Sequence, residues 1–187
     1  MEIHERILKL LREKLPAELA YHNYEHTLDV AEAAERIAKG ENASEEDIQL
    51  LKTAALLHDT GYIHSRENHE LESCQIAKEI LSDYGIAEDK IERVCELILA
   101  TRMPHNPQDK LSQIICDADL DYLGRDDYFP ISRKVYKEFK MFGIVSDEKE
   151  WKNVQVKFLE SHKYFTRTAN EMRREKKEEH LRMIRSS

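Results

Sequence analysis

With 187 residues, the chain is long enough for one domain whose core needs no disulfide or metal staple. Its 29 Lys plus Arg against 37 Asp plus Glu give a net charge of -8, which argues against broad nucleic-acid binding or adhesion to a membrane surface, so any phosphate site must be built from local cations. Only 5 glycines and 4 prolines interrupt the chain, and its apolar residues recur at helical spacing, so an all-α, single-domain bundle without strands is expected. Cys74, Cys95 and Cys116 are an odd set among apolar neighbours, as small buried hydrophobes usually are, and they point to a reducing, cytoplasmic setting. The opening residues from Met1 to Arg6 lack a basic-then-apolar leader, and no apolar run reaches the about 18 residues of a membrane span, so a soluble, unprocessed protein with no membrane partner is expected.

In chain order, Ile3, Ile7, Leu8, Leu10 and Leu11 predict an amphipathic helix over residues 2–14, stopped at Pro16 and placed as a lid. The polar and aromatic segment from Tyr21 to Thr27 leads into a helix with Val30, Ala33 and Ile37 in one row, ended by Gly40. His26 begins that row one turn before Val30, at the buried mouth of the helix, whereas His22 falls in the preceding loop.

Ser44-Glu45-Glu46-Asp47 reads as a capping-box start for the next helix. Its inward row is Ile48, Leu51 and Ala55, and His58 continues it, so the imidazole points into the core with Asp59 beside it. A buried imidazole and carboxylate are costly unless something occupies them, and a metal cation resolves that cost. Gly61 is expected to end the helix so that Asp59 turns toward the same point. The loop from Ile63 to Asn68 brings His64 and Arg66 near, and His69 opens a further helix that ends near Gly85, with Ile76 and Ile80 in line.

Glu88 to Thr101 is strongly amphipathic and is broken by Met103-Pro104-His105-Asn106-Pro107. In the segment from Leu111 to Gly124, Asp119 has Ile115, Cys116, Tyr122 and Leu123 at helical spacing, so it is taken as the buried acid, while Asp121 sits between Asp117 and Arg125. A carboxylate on an apolar face needs a cation, which pairs Asp119 with His26, His58 and Asp59. From Tyr128, the row Ile131, Val135, Tyr136 and Phe139 leads to a turn at Gly143, and the stretch from Asp147 with Val154, Phe158 and Leu159 reads as packing. Residues 167–185 hold seven Arg or Lys and few apolar residues, so a solvated helix and tail are expected there.

His26, His58, Asp59 and Asp119 follow the order H, HD, D along three helices. Around them stand Tyr-His-Asn-x-x-His-Thr-x-x-Val, Ala-Ala-Leu-Leu-His-Asp-Thr-Gly-Tyr, Asn-His-Glu-x-x-Ser and Asp-Ala-Asp-Leu-Asp-Tyr-Leu-Gly. These ordered blocks resemble the metal-dependent HD-domain phosphohydrolase superfamily, in particular its small bacterial members. The resemblance implies one HD-domain over residues 1–187, with a core of about 21–124 between the helical lid and a helical extension over 128–187. It implies a phosphomonoesterase or phosphodiesterase acting on a nucleotide or a similar small phosphorylated compound. It leaves open a di-iron oxygenase of the same fold, a non-catalytic nucleotide-binding module, and assembly as a homo-oligomer.

Two imidazoles and two carboxylates form a hard, open ligand set that suits Mn²⁺, Mg²⁺, Fe²⁺, Co²⁺ or Ni²⁺ better than a closed thiolate zinc site. Asp59 is expected to be catalytic as well as a ligand. Some relatives place an acid directly after the HD pair, where this chain has Thr60 and Gly61, so Glu67, Glu70 and Asp117 are the candidates to orient water. His69 is a candidate for catalysis and substrate binding, and His105 a weaker one. Arg66 is the best-placed phosphate ligand, ahead of Arg102, Lys110, Arg125 and Arg133.

Overall fold

The computed structural model describes residues 2–186; Met1 and Ser187, the two ends of the expected domain, lie outside the described residues. Among the described residues the chain forms nine α-helices and two short 3₁₀ turns, with no strand. The helices are α1 (Ile3–Lys14), α2 (Tyr24–Gly40), α3 (Glu45–Leu57), α4 (His69–Asp83), α5 (Glu88–Ala100), α6 (Lys110–Asp119), α7 (Tyr128–Met141), α8 (Glu148–Ser161) and α9 (Arg167–Ser186). The 3₁₀ turns, Thr60–Ile63 and Asp121–Gly124, follow α3 and α6.

The starts of the helices are written in short polar side chains. Asn23 accepts from the His26 amide, Ser44 from Asp47, Asp109 from Ser112 and Asp147 from Glu150, each satisfying a first-turn N–H that has no partner within its helix. The centre of the bundle is α2 packed on α3, with α6 against α2 and α5 against α3. Ile37, Leu51, Leu57, Leu97, Ile98 and Ile114 are fully buried there. Each such side chain stabilises by about 1.5–3 kcal/mol relative to exposure, so the core does not depend on a metal. The first helix docks on α2, α3 and α4, burying Ile7 and Leu11, with His4 Nε2 3.0 Å from Thr53 Oγ1.

Two expectations need correction. The last helix is not a solvated tail: Thr168, Ala169, Lys177, His180 and Ile184 are buried along α9. Its anchors are largely polar, which apolar periodicity does not register. Arg173 Nε donates to Asp121 Oδ1 at 2.8 Å, the Thr168 amide and hydroxyl to Glu41 Oε1 at 2.9 and 2.7 Å, and His180 Nδ1 to the Leu123 carbonyl at 3.0 Å. The helix ended by Gly40 does stop there, but the residue with positive φ is Asn42 (57°). Gly40 is small for another reason: a Cβ at that position would lie 2.5 Å from Thr168 Cγ2 of α9.

Candidate metal centre

The apolar row of α2 places His26 at the helix mouth, 8% exposed, beneath the ring of Tyr21 at 4.4 Å between centroids. His58 ends α3, and its Nδ1–H donates to the Ala55 carbonyl at 2.7 Å. Because a carbonyl can only accept, that bond leaves Nε2 of the neutral ring with a lone pair, directed away from α3. Asp59 follows with 2% exposure, and Asp119 closes α6 from the opposite side.

Four atoms converge. His26 Nε2 lies 3.5 Å from Asp59 Oδ2 and 3.3 Å from Asp119 Oδ1, and His58 Nε2 lies 3.2 and 3.5 Å from the same two oxygens. His26, His58 and Asp119 offer atoms that are all within 4.8 Å of one another. Yet His26 Nε2, His58 Nε2 and Asp59 Oδ2 are buried without a hydrogen-bond partner, since none of these approaches has hydrogen-bond alignment. A buried polar atom left this way costs about 1–3 kcal/mol, so three together need an occupant. Four donors around a cation at about 2.1 Å would stand about 3.0–3.4 Å apart, close to the separations observed. The residues present therefore fit a divalent ion.

The electrostatics agree. Burial alone lowers the proton affinity of His26 and His58, but Asp119 and Asp59 outweigh it and raise both pKa values above the ordinary imidazole range. Burial likewise opposes ionisation of Asp59 and Asp119, and the facing imidazoles overcome it and hold both carboxyls well below their usual range. The pocket is thus anionic unless protons or a cation neutralise it.

The turn after Asp59 is shaped by α4. Ser73 Oγ–H donates to the His58 carbonyl at 2.6 Å and its oxygen accepts from the Gly61 amide at 2.8 Å. A Cβ on Gly61 would sit 1.9 Å from the His69 carbonyl oxygen. Gly61 is therefore required for close approach of α4, and its φ is not in the left-handed region, which corrects the capping role expected from the sequence. That approach carries His69 to the cluster. Its Nδ1–H donates to the Arg66 carbonyl at 3.1 Å, and its Nε2 lies 3.4 Å from Asp59 Oδ1 and 3.6 Å from Glu70 Oε1. Burial lowers the His69 pKa and Asp59 more than reverses it, leaving the pKa raised.

The cluster opens on a cleft of about 420 Å³ lined by Asp59, Arg66, Glu67, His69, Glu70, Arg102 and Asp119, among others. Arg66 pairs with neither Glu67 nor Glu70; its guanidinium lies over the Phe142 ring, 4.8 Å from the centroid. Arg102 donates to Asn68 Oδ1 at 3.0 Å within the same cleft. Other residues proposed from the sequence are engaged elsewhere. Asp117 accepts from the amides of Phe165 and Thr166 at 2.9 and 2.8 Å and from the Thr166 hydroxyl at 2.7 Å, so it ties down the start of α9. His105 donates to the Thr101 carbonyl at 3.1 Å, and Lys110 to the Glu41 carbonyl at 2.6 Å. Arg125 is held by Asp29 and Asp127, each at 2.5 Å, and Arg133 is exposed on α7 away from the cleft wall.

Sequence reasoning missed the pair across the cleft. Glu138 of α7 is 1% exposed; its Oε2 accepts from the Tyr21 and His22 amides at 2.8 and 3.1 Å, and its Oε1 meets His22 Nδ1 in a short contact. His22 in turn stacks on Tyr62 at 4.5 Å. The signal was present, because Glu138 falls three residues after Val135 on the buried row of its helix, the same pattern that singled out Asp119.

The family described as HD domain matches residues 23–121, more than half of the chain and the part that holds all four converging side chains. An uncharacterised protein of Clostridium beijerinckii is 36% identical over 101 residues, and one of Methanocaldococcus jannaschii is 34% identical over 107. The aligned part covers 52% of this chain and 62% of the first relative, and 56% of this chain and 23% of the second. Among solved structures, a predicted HD superfamily hydrolase of an uncultured Thermotogales bacterium superposes with a TM-score of 0.67 at 20% identity, covering 97% of this chain and 89% of that one. YpgQ of Bacillus subtilis in complex with ADP does so with a TM-score of 0.68 at 20% identity, over 98% of this chain and 94% of that one. The fold and the matched blocks lead to one conclusion: the chain belongs to the HD domain family.

Proposed function

We propose that the protein is a metal-dependent phosphohydrolase, a phosphomonoesterase or phosphodiesterase that acts on a nucleotide or similar small phosphorylated compound. One observation carries the reading: three buried, unpartnered donor atoms converge with Asp119 at the floor of a cleft whose rim bears Arg66 and Arg102. His26, His58, Asp59 and Asp119 hold the ion in this reading. A divalent cation bound there supplies Lewis acidity to a phosphoryl oxygen and to the attacking water. His69, beside Asp59 Oδ1, and Glu70, beside His69 Nε2, orient that water and take up its proton, while Arg66 and His69 hold the phosphate. The 1–187 chain acts as one unit, with about 21–124 carrying the ligands and 128–187 the facing wall. The ADP complex of YpgQ supports a nucleotide as the substrate class. Three free, buried thiols support a reducing, cytoplasmic setting, and no helix among the described residues is long and apolar enough to cross a membrane.

The test is a screen of phosphorylated compounds with added Mn²⁺, Mg²⁺, Fe²⁺, Co²⁺ or Ni²⁺, with Asp59→Ala as control. Metal-dependent release of phosphate by the wild type alone supports the reading. Two irons per chain with a mixed-valent signal, and no phosphate released, would transfer it to an oxygenase.

A further inference from the structure

The cleft with the arginines is only one side of the centre. Beyond Asp119 lies a second cavity of about 190 Å³, not sealed from solvent, between the 3₁₀ turn after α6 and the helices α7 and α8. The two cavities share His22, Met103, Asp119 and Phe139 in their linings, so they adjoin as two lobes that both reach Asp119. At about 190 Å³ the second lobe is smaller than the roughly 300–1,000 Å³ of a self-contained small-molecule site, which makes it a place for part of a ligand whose remainder lies in the cleft.

The geometry points to the planar base of a nucleotide as that part, with Gln155 as the residue that reads its edge. This inference deepens the phosphohydrolase reading and rests on it. The walls are aromatic rings held in fixed planes: Tyr122 and Tyr128 are stacked at 6.1 Å with 9° between planes, and Phe139 meets Trp151 edge-on at 5.6 Å. Tyr128 is 2% exposed and already stacks on His180 at 4.6 Å, so a flat ring is taken against the half-buried rings of Phe139 and Trp151. No Lys or Arg lines the lobe, so the phosphate end belongs at Arg66 and Arg102 and the reverse pose is excluded. A sugar is equally misplaced here, because its hydroxyls would meet few polar partners.

The principal polar feature on the α8 side is the Gln155 carboxamide. Its Nε2 donates to Tyr128 Oη at 2.8 Å and to Ser132 Oγ at 2.7 Å, which locks the group in place. Among the described residues its Oε1 is bonded to no protein donor, which leaves the carboxamide an acceptor to offer a ligand in the lobe that Gln155 lines. An acceptor at the end of an aromatic slot selects a ring that carries an exocyclic amine.

Trp151 lines this lobe and is the chain's only tryptophan, so its emission reports filling of the lobe directly. The experiment titrates the full chain, in Mg²⁺, with adenosine, adenosine monophosphate, inosine monophosphate, ribose phosphate and hexyl phosphate, and measures turnover of each phosphate alongside. Saturable change of Trp151 emission by adenosine and its monophosphate, but not by ribose phosphate, is expected. Adenosine monophosphate should be preferred over inosine monophosphate, and Gln155→Leu should remove that preference, weakening adenosine monophosphate about tenfold. Val154→Phe, which narrows the lobe from a half-buried position, should reduce the kcat/KM ratio of adenosine monophosphate to ribose phosphate. Turnover with equal kcat/KM for ribose phosphate and adenosine monophosphate, and silent Trp151 emission, would overturn the inference. Hexyl phosphate matching adenosine monophosphate would overturn it too, since the lobe would then take any apolar group. If adenosine changes the emission while no phosphate is turned over, the phosphohydrolase reading fails and the base lobe stands.

Discussion

Residues 21–124 and the extension from Tyr128 onward use buried polar groups in opposite ways. In the first, His26 Nε2, His58 Nε2 and Asp59 Oδ2 are buried and unpartnered, facing one another around a gap. In the second, the polar groups that bury α9 are joined to the first region by hydrogen bonds: Thr166 to Asp117, Thr168 to Glu41, Arg173 to Asp121 and His180 to the Leu123 carbonyl. The difference teaches that burial of an acid does not mark a ligand; convergence of unpartnered atoms does, since Arg36 Nε and His162 Nε2 are also buried without a partner but stand outside the cluster. Asp117 at 0% and Asp121 at 1% are more buried than Asp119, whose side chain is 17% exposed, yet only Asp119 reaches the cluster.

The comparison breaks most sharply at Asp59. Asp59→Ala should abolish hydrolysis of the best substrate and metal retention together, because the cation loses one of two anionic ligands, while circular dichroism stays helical. A folded Asp59→Ala protein that keeps its metal would mean that the unpartnered atoms are not the ligands.

Asp121→Ala tests the other half. It leaves the guanidiniums of Arg36 and Arg173, bonded to Asp121 at 2.7 and 2.8 Å, without their carboxylate. Because those side chains are 39% and 18% exposed and regain some water, the expected loss is about 2 kcal/mol, below the range for fully buried pairs. Denaturant unfolding should show it, with metal still retained by the folded protein. No loss of stability would remove the contrast between satisfied and unsatisfied acids.

Arg66→Ala sharpens the picture of the rim. If Arg66 grips phosphate equally in ground and transition states, KM should rise about tenfold with little change in kcat. Its contact with Phe142 is exposed, so stability should move by no more than about 0.5–1 kcal/mol. Unchanged kcat/KM would shift the phosphate contact to Arg102.

The smallest effect belongs to the seam between the regions. Burial favours the neutral form of Glu138, but the bond to His22 and the two backbone amides outweigh it, so its pKa lies below the ordinary 4.5. A depressed carboxylate contributes stability above its unfolded pKa and loses it as pH falls toward the folded value, where the unfolded state binds more protons. The Tm of the wild type should therefore fall on acidification below 4.5 more steeply than that of Glu138→Gln. Equal slopes would show that the seam does not hold α7 to the Tyr21 segment.

Much of this was legible because helical spacing is local. The row Ile48, Leu51, Ala55 is buried and delivers His58 inward, and Ser44 caps the helix that its chemistry announces. Asp119 was singled out on an incomplete criterion, since apolar neighbours at helical spacing cannot show which acid already has an arginine or an amide waiting on another helix. Gly61 and Gly40 were recognised at helix ends, but their need for a bare backbone comes from the His69 carbonyl and from Thr168, contacts that exist only once α4 and α9 are packed.

The sequence by itself determined the helices, their inward faces and the two histidines and two carboxylates available for a centre, because each depends on neighbours within a turn or two. Only the tertiary structure decided which buried acid is left without a partner, that a basic terminal helix is part of the body, and that Glu138 and Phe142 line the cleft from far along the chain. Those outcomes are set by pairing between distant elements, and a partner's position in space leaves no periodicity in the residue it meets.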